Sequence, residues 1–129
     1  MTPRVSVIMS VLNGAEFLRP AVASILNQTF TDFEFIIIDN ASTDATADIL
    51  DSYRDPRIVR VRNGNILTLT ESLNKGLVLA RGVYVARQDA DDISAPARLE
   101  RQLAILDTQP DALLVGTHAR MIDETGVNK

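Results

Sequence analysis

Three carboxylates stand close together in Gln88-Asp89-Ala90-Asp91-Asp92, directly after an apolar run, Gly82-Val83-Tyr84-Val85-Ala86, that reads as a β-strand. Carboxylates crowded in this way repel one another, and they stay ionised at neutral pH where a cation or strong hydrogen-bond donors offset the repulsion. Hard oxygen ligands suit Mg2+ or Mn2+, so the cluster is a candidate divalent-metal site. A second reading stands beside it. Acidic side chains ahead of a helix complement its dipole, and Ser94 and Pro96 are residue types that open one. Position favours the metal, because open α/β sheets bind ligands at the carboxyl ends of their strands and the cluster lies at such an end.

The elements that position this cluster alternate along the chain. Val5 to Val11 is apolar, β-branched and too short for a helix, and reads as a first strand buried on both faces. After Asn13-Gly14, the residues Phe17, Leu18, Ala21, Val22, Ile25 and Leu26 recur at helical spacing to near Gln28, with Pro20 in the early turns. Phe33 to Asp39 is a second strand that ends on a carboxylate, and Ser42 or Thr43 is expected to cap a helix carrying Ala45, Ile49, Leu50 and Tyr53. Arg57 to Arg62 alternates apolar residues with arginine, as in a strand nearer an edge. Leu69, Leu73, Leu77 and Ala80 mark a third helix, with Gly82 as its stop and Arg81 complementing its dipole. A fourth helix from Ser94 carries Leu99, Leu103 and Leu106 and ends before Gln109-Pro110. Ala112 to Gly116 and Thr117 to Asp123 read as two further strands. Strands and helices alternating through short connections predict an α/β fold, a mostly parallel sheet with helices on both faces.

Composition narrows the function. At 129 residues with 46% hydrophobic and 23% charged, the chain is one domain large enough to bury a core. A net charge of −4 with scattered arginines gives no basic patch for a nucleic acid, so no nucleic-acid partner is expected. There is no cysteine, which excludes thiolate metal sites and a cysteine nucleophile. No stretch approaches the ~20 apolar residues of a membrane span, and Met1 to Arg4 leads into a strand rather than a signal segment, so this portion is expected to be cytoplasmic.

The carboxyl ends of the first, second and fourth strands bring Ser10 to Asn13, Asp39-Asn40 and Asp89 to Asp92 to one rim, which is the arrangement of a mononucleotide crevice. Read together, Val5-Ser-Val-Ile-Met-Ser-Val-Leu-Asn-Gly14, Ile38-Asp-Asn-Ala-Ser-Thr-Asp44, Leu73-Asn-Lys-Gly76 and Ala86-Arg-Gln-Asp-Ala-Asp-Asp-Ile93, continued by Ser94-Ala-Pro-Ala-Arg-Leu-Glu100, resemble family 2 glycosyltransferases over essentially the whole chain. The resemblance implies a GT-A fold, Rossmann-like, in which Asp39 and Asn40 contact the base, usually uracil, while Ser10, Leu12 and Asn13 line the same pocket. It also places the DxD motif on Asp89-Ala90-Asp91, with Asp89 near the ribose or metal, Asp91 on a Mn2+ or Mg2+ ion that bridges both phosphates, and Asp92 in support. The implied partners are a nucleotide-sugar donor, a UDP-sugar by expectation, and a carbohydrate or lipid-linked acceptor of polysaccharide synthesis.

The sequence also departs from the family. Members often carry Pro and Tyr where this chain has Ser10 and Leu12, and Asn40 replaces a frequent second Asp. Inverting members use a carboxylate general base well after the DxD motif. Asp123 and Glu124 follow it too closely and read as a turn beside Gly126, so no catalytic residue is expected within the chain and the general base is expected beyond Lys129. Residues 1–129 are therefore expected to be the donor-binding part of a truncated fold whose acceptor-binding part is absent, with an unpaired sheet edge near Thr117 to Asp123 that favours self-association. His118 reads as a packed strand histidine rather than a diphosphate ligand. Two other functions share parts of the pattern. A nucleotidyltransferase has a similar fold and metal but commonly a glycine-rich loop after the first strand, and a non-catalytic nucleotide-sugar-binding module needs no base. A phospho-acceptor receiver domain is disfavoured, because it needs acidic residues where Ser10, Leu12 and Asn13 stand.

Overall fold

The computed structural model describes residues 1–128; Lys129 lies outside the described residues. It shows the alternating α/β order β1 (Val5–Val11), α1 (Ala15–Leu26), β2 (Phe33–Asp39), α2 (Thr46–Asp51), β3 (Ile58–Arg62), α3 (Leu69–Leu79), β4 (Tyr84–Arg87) and α4 (Arg98–Thr108). The four strands form one parallel sheet in the order β3-β2-β1-β4. The chain thus winds outward from β1 to β3 and then returns to the other side of β1. This reversal of strand order is where open sheets of this kind place their ligand crevice, beyond the carboxyl ends.

Burial on both faces explains why β2 has no polar alternation. Val5, Val7, Met9 and Val11 of β1 with Phe33, Phe35 and Ile37 of β2 form one core with Leu18, Ala21, Val22 and Ile25 of α1, Ile49 and Leu50 of α2, and Leu99 and Leu103 of α4. Ile8, Ile36 and Ile38 face the other way, against Leu73 and Ala80 at α3. Each such buried aliphatic side chain contributes about 1.5–3 kcal/mol relative to exposure, so the two central strands carry much of the stability.

The structure corrects several sequence expectations. On α3 the buried positions are Ser72 and Gly76, whereas Leu69 and Leu77 are half exposed. The helix lies so close to the sheet that a Cβ at Gly76 would stand 2.5 Å from Ile8 Cγ2, which selects small residues over leucine at the contact. Gly82 is likewise a close-approach residue rather than a helix stop: a Cβ there would stand 2.5 Å from the Ser6 backbone nitrogen, and α3 ends at Ala80 in extended conformation. Ala112–Gly116 and Thr117–Asp123 do not form strands. Leu113 and Leu114 are exposed, and the one pairing there among the described residues is an antiparallel bridge between Ile122 and Asn128. An apolar run becomes a strand when a neighbouring edge accepts its hydrogen bonds, and among the described residues none does so here. The free edges of the sheet are β3 and β4, so the edge expected near Thr117–Asp123 is absent, and His118 is an exposed loop residue.

At the amino-terminal end of the sheet, away from the crevice, Glu34 lies buried in β2. Its Oε1 accepts hydrogen bonds from the Ser6 hydroxyl at 2.6 Å and the Arg81 N–H at 2.8 Å, and its Oε2 accepts from Arg81 Nε and Nη2 at 2.9 and 2.7 Å. Arg81 therefore clamps a buried carboxylate instead of complementing the α3 dipole. Burial alone would raise the Glu34 carboxyl, but the bonds from Ser6 and Arg81, with the guanidinium charge, outweigh it and hold the group below its usual range.

Candidate functional site

β2 delivers Asp39 to its carboxyl end with the side chain almost wholly buried. Asp39 Oδ1 accepts the Ser42 N–H at 2.9 Å. Its Oδ2 is buried and receives no hydrogen bond from the described residues. The neighbouring cation is Arg62, the residue paired with Asp39 in the β2–β3 register, whose Nη1 lies 3.3 Å away without hydrogen-bond geometry. Arg62 is more than half exposed, so water screens this attraction and leaves the Oδ2 lone pairs unmatched. Buried carboxylate oxygens are rarely left so, and Asp39 Oδ2 retains the capacity to accept a hydrogen bond.

The turn after Asp39 is strained. Ala41 has φ +58°, a left-handed conformation that disfavours a Cβ, and it turns the Ser42 N–H back onto Asp39. Asn13, just past the end of β1, has φ +50°, which asparagine tolerates, and its Oδ1 accepts the N–H groups of Thr43 and Asp44 at 2.8 and 3.2 Å. The Asn13 N–H donates in return to the Ser42 hydroxyl at 2.9 Å. Gly14 N–H donates to Thr46 Oγ1, and Ala15 N–H donates to Asp44 Oδ2. The two loops that follow β1 and β2 are thereby stitched into one wall, in which Leu12 is exposed and Ser10 partly buried. Ser42 and Thr43 do not cap α2 as expected. Asp44 takes the Thr46 N–H at 2.9 Å and thus joins the starts of two helices.

Asn40 sits beside Asp39 with both ends of its amide in use. Nδ2 donates to the Leu67 carbonyl at 2.8 Å, and Oδ1 accepts from the Leu67 N–H at 3.0 Å and from Asn63 Nδ2 at 2.8 Å. The resemblance implies a base contact for Asn40; in the structure its side chain grips the loop ahead of α3.

Asp89 and Asp91 lie exposed in the turn after β4, and Asp89 Oδ1 accepts from Arg87 Nε at 3.1 Å. Beneath the turn is a buried polar support. Gln88 donates to the Asp92 carbonyl at 2.8 Å and accepts from the Ser94 hydroxyl at 2.6 Å and Arg98 Nη1 at 2.9 Å, while Arg98 Nη2 donates to the Arg87 carbonyl at 2.9 Å. Ser94 is held in this network, and α4 begins at Arg98 rather than at Ser94. Partial burial, and then the charges of Asp91 and Asp89, push the Asp92 carboxyl above its usual range. A Cβ on Gly14 would lie 3.8 Å from Ala90 Cβ, so the first loop and the acidic turn are neighbours. Ser10, Leu12, Asn13, Asp39, Asn40, Asp89 and Asp91 all come to one rim.

Among the described residues no group of three or more His, Asp or Glu side chains converges on a point. Two exposed carboxylates in a negative field nevertheless fit a hard divalent ion, since Mg2+-type sites take one or two protein carboxylates and complete their shell with water and substrate phosphates. Asp123 is a turn carboxylate. Its Oδ1 accepts from Thr125 and Val127, and those bonds hold it below the usual range, which makes it a poor base. The position expected for the general base, beyond Lys129, lies outside the described residues. Arg62, Asn63, Gln88 and Arg98 were missed by sequence reasoning. Only for Gln88 was there a signal, a polar residue between a strand and the acidic turn.

The model of the family described as glycosyl transferase family 2 matches residues 6–129. The UDP-Glc:alpha-D-GlcNAc-diphosphoundecaprenol beta-1,3-glucosyltransferase WfaP of Escherichia coli is 32% identical over 105 residues, which cover 81% of this chain and 42% of WfaP. TarS 1-349 of S. aureus, in complex with UDP-GlcNAc, superposes with a TM-score of 0.76 at 25% identity, covering 83% of this chain and 32% of TarS. The mannosyltransferase PcManGT of Pyrobaculum calidifontis, in complex with GDP-Man and Mn2+, gives 0.71 at 28% identity, covering 90% of this chain and 34% of PcManGT. The chain spans less than half the length of the curated relatives it matches. The sheet and its helices are those of the GT-A glycosyltransferases, and the chain belongs to glycosyl transferase family 2.

Proposed function

We propose that this chain holds the nucleotide-sugar donor of a glycosyltransferase, a UDP-sugar by preference, for inverting transfer to a carbohydrate or lipid-linked acceptor hydroxyl. The observation that carries the reading is the unmatched Asp39 Oδ2 at the carboxyl end of β2. Uracil presents a ring N–H between two carbonyl oxygens. A buried carboxylate accepts that N–H, and the Arg62 guanidinium beside it is placed to donate to a flanking carbonyl. Ser10, Leu12 and Asn13 line the same end of the crevice, and Asn40 sets the loop that closes it.

Asp89 and Asp91 are the residues to hold Mn2+ or Mg2+, with Asp92 behind them. A bound divalent ion supplies charge stabilisation for the departing nucleoside diphosphate. The Gln88–Ser94–Arg98 support holds the turn that carries the two exposed carboxylates, of which Asp89 is also paired with Arg87. The general base that relieves the acceptor hydroxyl of its proton is assigned to residues beyond Lys129, in keeping with the greater length of the relatives.

The test is titration calorimetry with UDP in the presence and absence of Mn2+. Wild type is expected to bind at least about tenfold more tightly with the ion, and Asp91→Asn, which keeps the shape but removes the charge, to lose most of that gain. Equal metal dependence in the two proteins contradicts the assignment of Asp91.

A further inference from the structure

We propose that Asn63, acting through Asn40, is a positioning residue that fixes the Leu67 backbone against the Asn40 end of β2 before the nucleotide arrives; this deepens the nucleotide reading above and rests on it. Asn63 follows β3 and is buried to 2% exposure. Both polar atoms of its side chain are engaged. Nδ2 donates to Asn40 Oδ1 at 2.8 Å and to the Ser72 hydroxyl at 3.0 Å, and Oδ1 accepts from Lys75 Nζ at 2.9 Å. Its backbone N–H donates to the Asp39 carbonyl at 2.9 Å, and the Asn40 N–H donates to the Val11 carbonyl at 2.8 Å. The two side-chain amides therefore join the ends of β2 and β3 to the loop before α3 and to α3 itself, while the backbone N–H of Asn40 ties the group to β1.

The pairing has a fixed polarity. Leu67 offers Asn40 one donor and one acceptor, so only one orientation of the Asn40 amide satisfies both. That orientation turns Oδ1 towards Asn63, which must then present a donor. Lys75 enforces this in turn, because the ammonium has only donors and demands the Asn63 oxygen, leaving Nδ2 for Asn40. The polarity thus passes from Lys75 through Asn63 and Asn40 to the Leu67 peptide. A loop held this way need not be ordered when the ligand binds, and preorganisation of that kind raises affinity without any contact to the ligand.

Asn63→Asp tests the device, since it keeps size and the Lys75 contact but turns an acceptor towards Asn40 Oδ1. Three readouts are taken on wild type, Asn63→Asp and Ser72→Ala: UDP affinity by calorimetry, hydrogen exchange of the Leu67 N–H, and exchange of the Ile36 and Ile37 N–H groups in β2. The expected result for Asn63→Asp is about tenfold weaker UDP binding and faster Leu67 exchange while Ile36 and Ile37 stay protected, with Ser72→Ala close to wild type. Unchanged UDP affinity in Asn63→Asp overturns the proposal and leaves the nucleotide reading intact. Weaker binding with unchanged Leu67 exchange also overturns it, since Asn63 then acts on the ligand directly. A wild type that does not bind UDP removes the reading on which the proposal rests, and the proposal with it. If Asn63→Asp does not fold, Asn40→Asp, which sets an oxygen against the Leu67 carbonyl, is judged by the same readouts.

Discussion

Replacing Asp39 by alanine is expected to weaken UDP binding by about 10- to 100-fold, with or without a divalent ion, because a charge-assisted hydrogen bond in a buried site is worth roughly 1.5–3 kcal/mol. Independence from metal separates this residue from Asp91, whose substitution acts only when the ion is present. Asp39→Asn refines the test. The Ser42 N–H continues to require an acceptor at the Oδ1 position, so the new amide nitrogen faces the crevice where Oδ2 stood. A donor there opposes the ring N–H of uracil and suits cytosine, whose corresponding nitrogen is an acceptor. The Asn variant is therefore expected to lose preference for UDP over CDP, measured by calorimetry with both nucleotides. An unaltered ratio contradicts the assignment of Asp39 to the base.

The second large effect lies at the other end of the sheet and concerns stability alone. Arg81→Ala leaves the Glu34 carboxylate buried with the Ser6 hydroxyl and one backbone N–H as partners. Stranding a fully buried charge costs about 3–5 kcal/mol, and because the Arg81 side chain is 60% exposed the expected loss at neutral pH is smaller, about 1–3 kcal/mol. The sign of its pH dependence follows from the lowered Glu34 carboxyl. In wild type this group contributes stability above the unfolded-state carboxylate pKa of about 4.3, and that contribution is lost as pH falls through the lower folded-state value. In the variant the stranded carboxylate gains by protonation. The gap between the two proteins in urea unfolding is thus expected to shrink from about pH 7 to about pH 3. A constant gap contradicts the electrostatic account of the clamp. UDP affinity of the folded variant is expected to match wild type, since Glu34 lies at the end of the sheet remote from the crevice.

How far the sequence revealed this structure depended on whether a residue's partner was local. The limits of β1 and β2 could be read because seven-residue runs without polar alternation belong to strands covered on both faces. Glu34 is the exception within β2, and its partners Ser6 and Arg81 are 28 and 47 residues away, so no local pattern announces them. On α3, leucine periodicity was right for Leu73 and Ala80, which pack against the sheet, but not for Leu69 and Leu77, because contact with Ile8 and Ile38 requires the missing side chain of Gly76 rather than a bulky one. The runs at Ala112–Gly116 and Thr117–Asp123 had strand composition but lacked a paired neighbour, and composition cannot supply one.

The same distinction holds at the rim. Asp39, Asp89 and Asp91 were visible as carboxylates at strand ends. Asn40 was visible as a residue but not in its contacts, since its amide is engaged by Leu67 and Asn63, which are far along the chain. Asn63-Gly64-Asn65 has the composition of a turn, yet Asn63 is as deeply buried as Val5 and Val11 of the core.

The most direct test of the central claim is to map UDP onto the chain by backbone amide chemical shifts, titrated with Mg2+ present. The account predicts saturable shifts confined to Ser10–Asn13, Asp39–Ser42, the loop from Asn63 to Thr68, and Asp89–Asp92. Shifts centred instead on the cavity of about 260 Å3 at the opposite end of the sheet, lined by Phe33, Glu34, Arg57 and Arg81, or no saturable shifts at all, would contradict it.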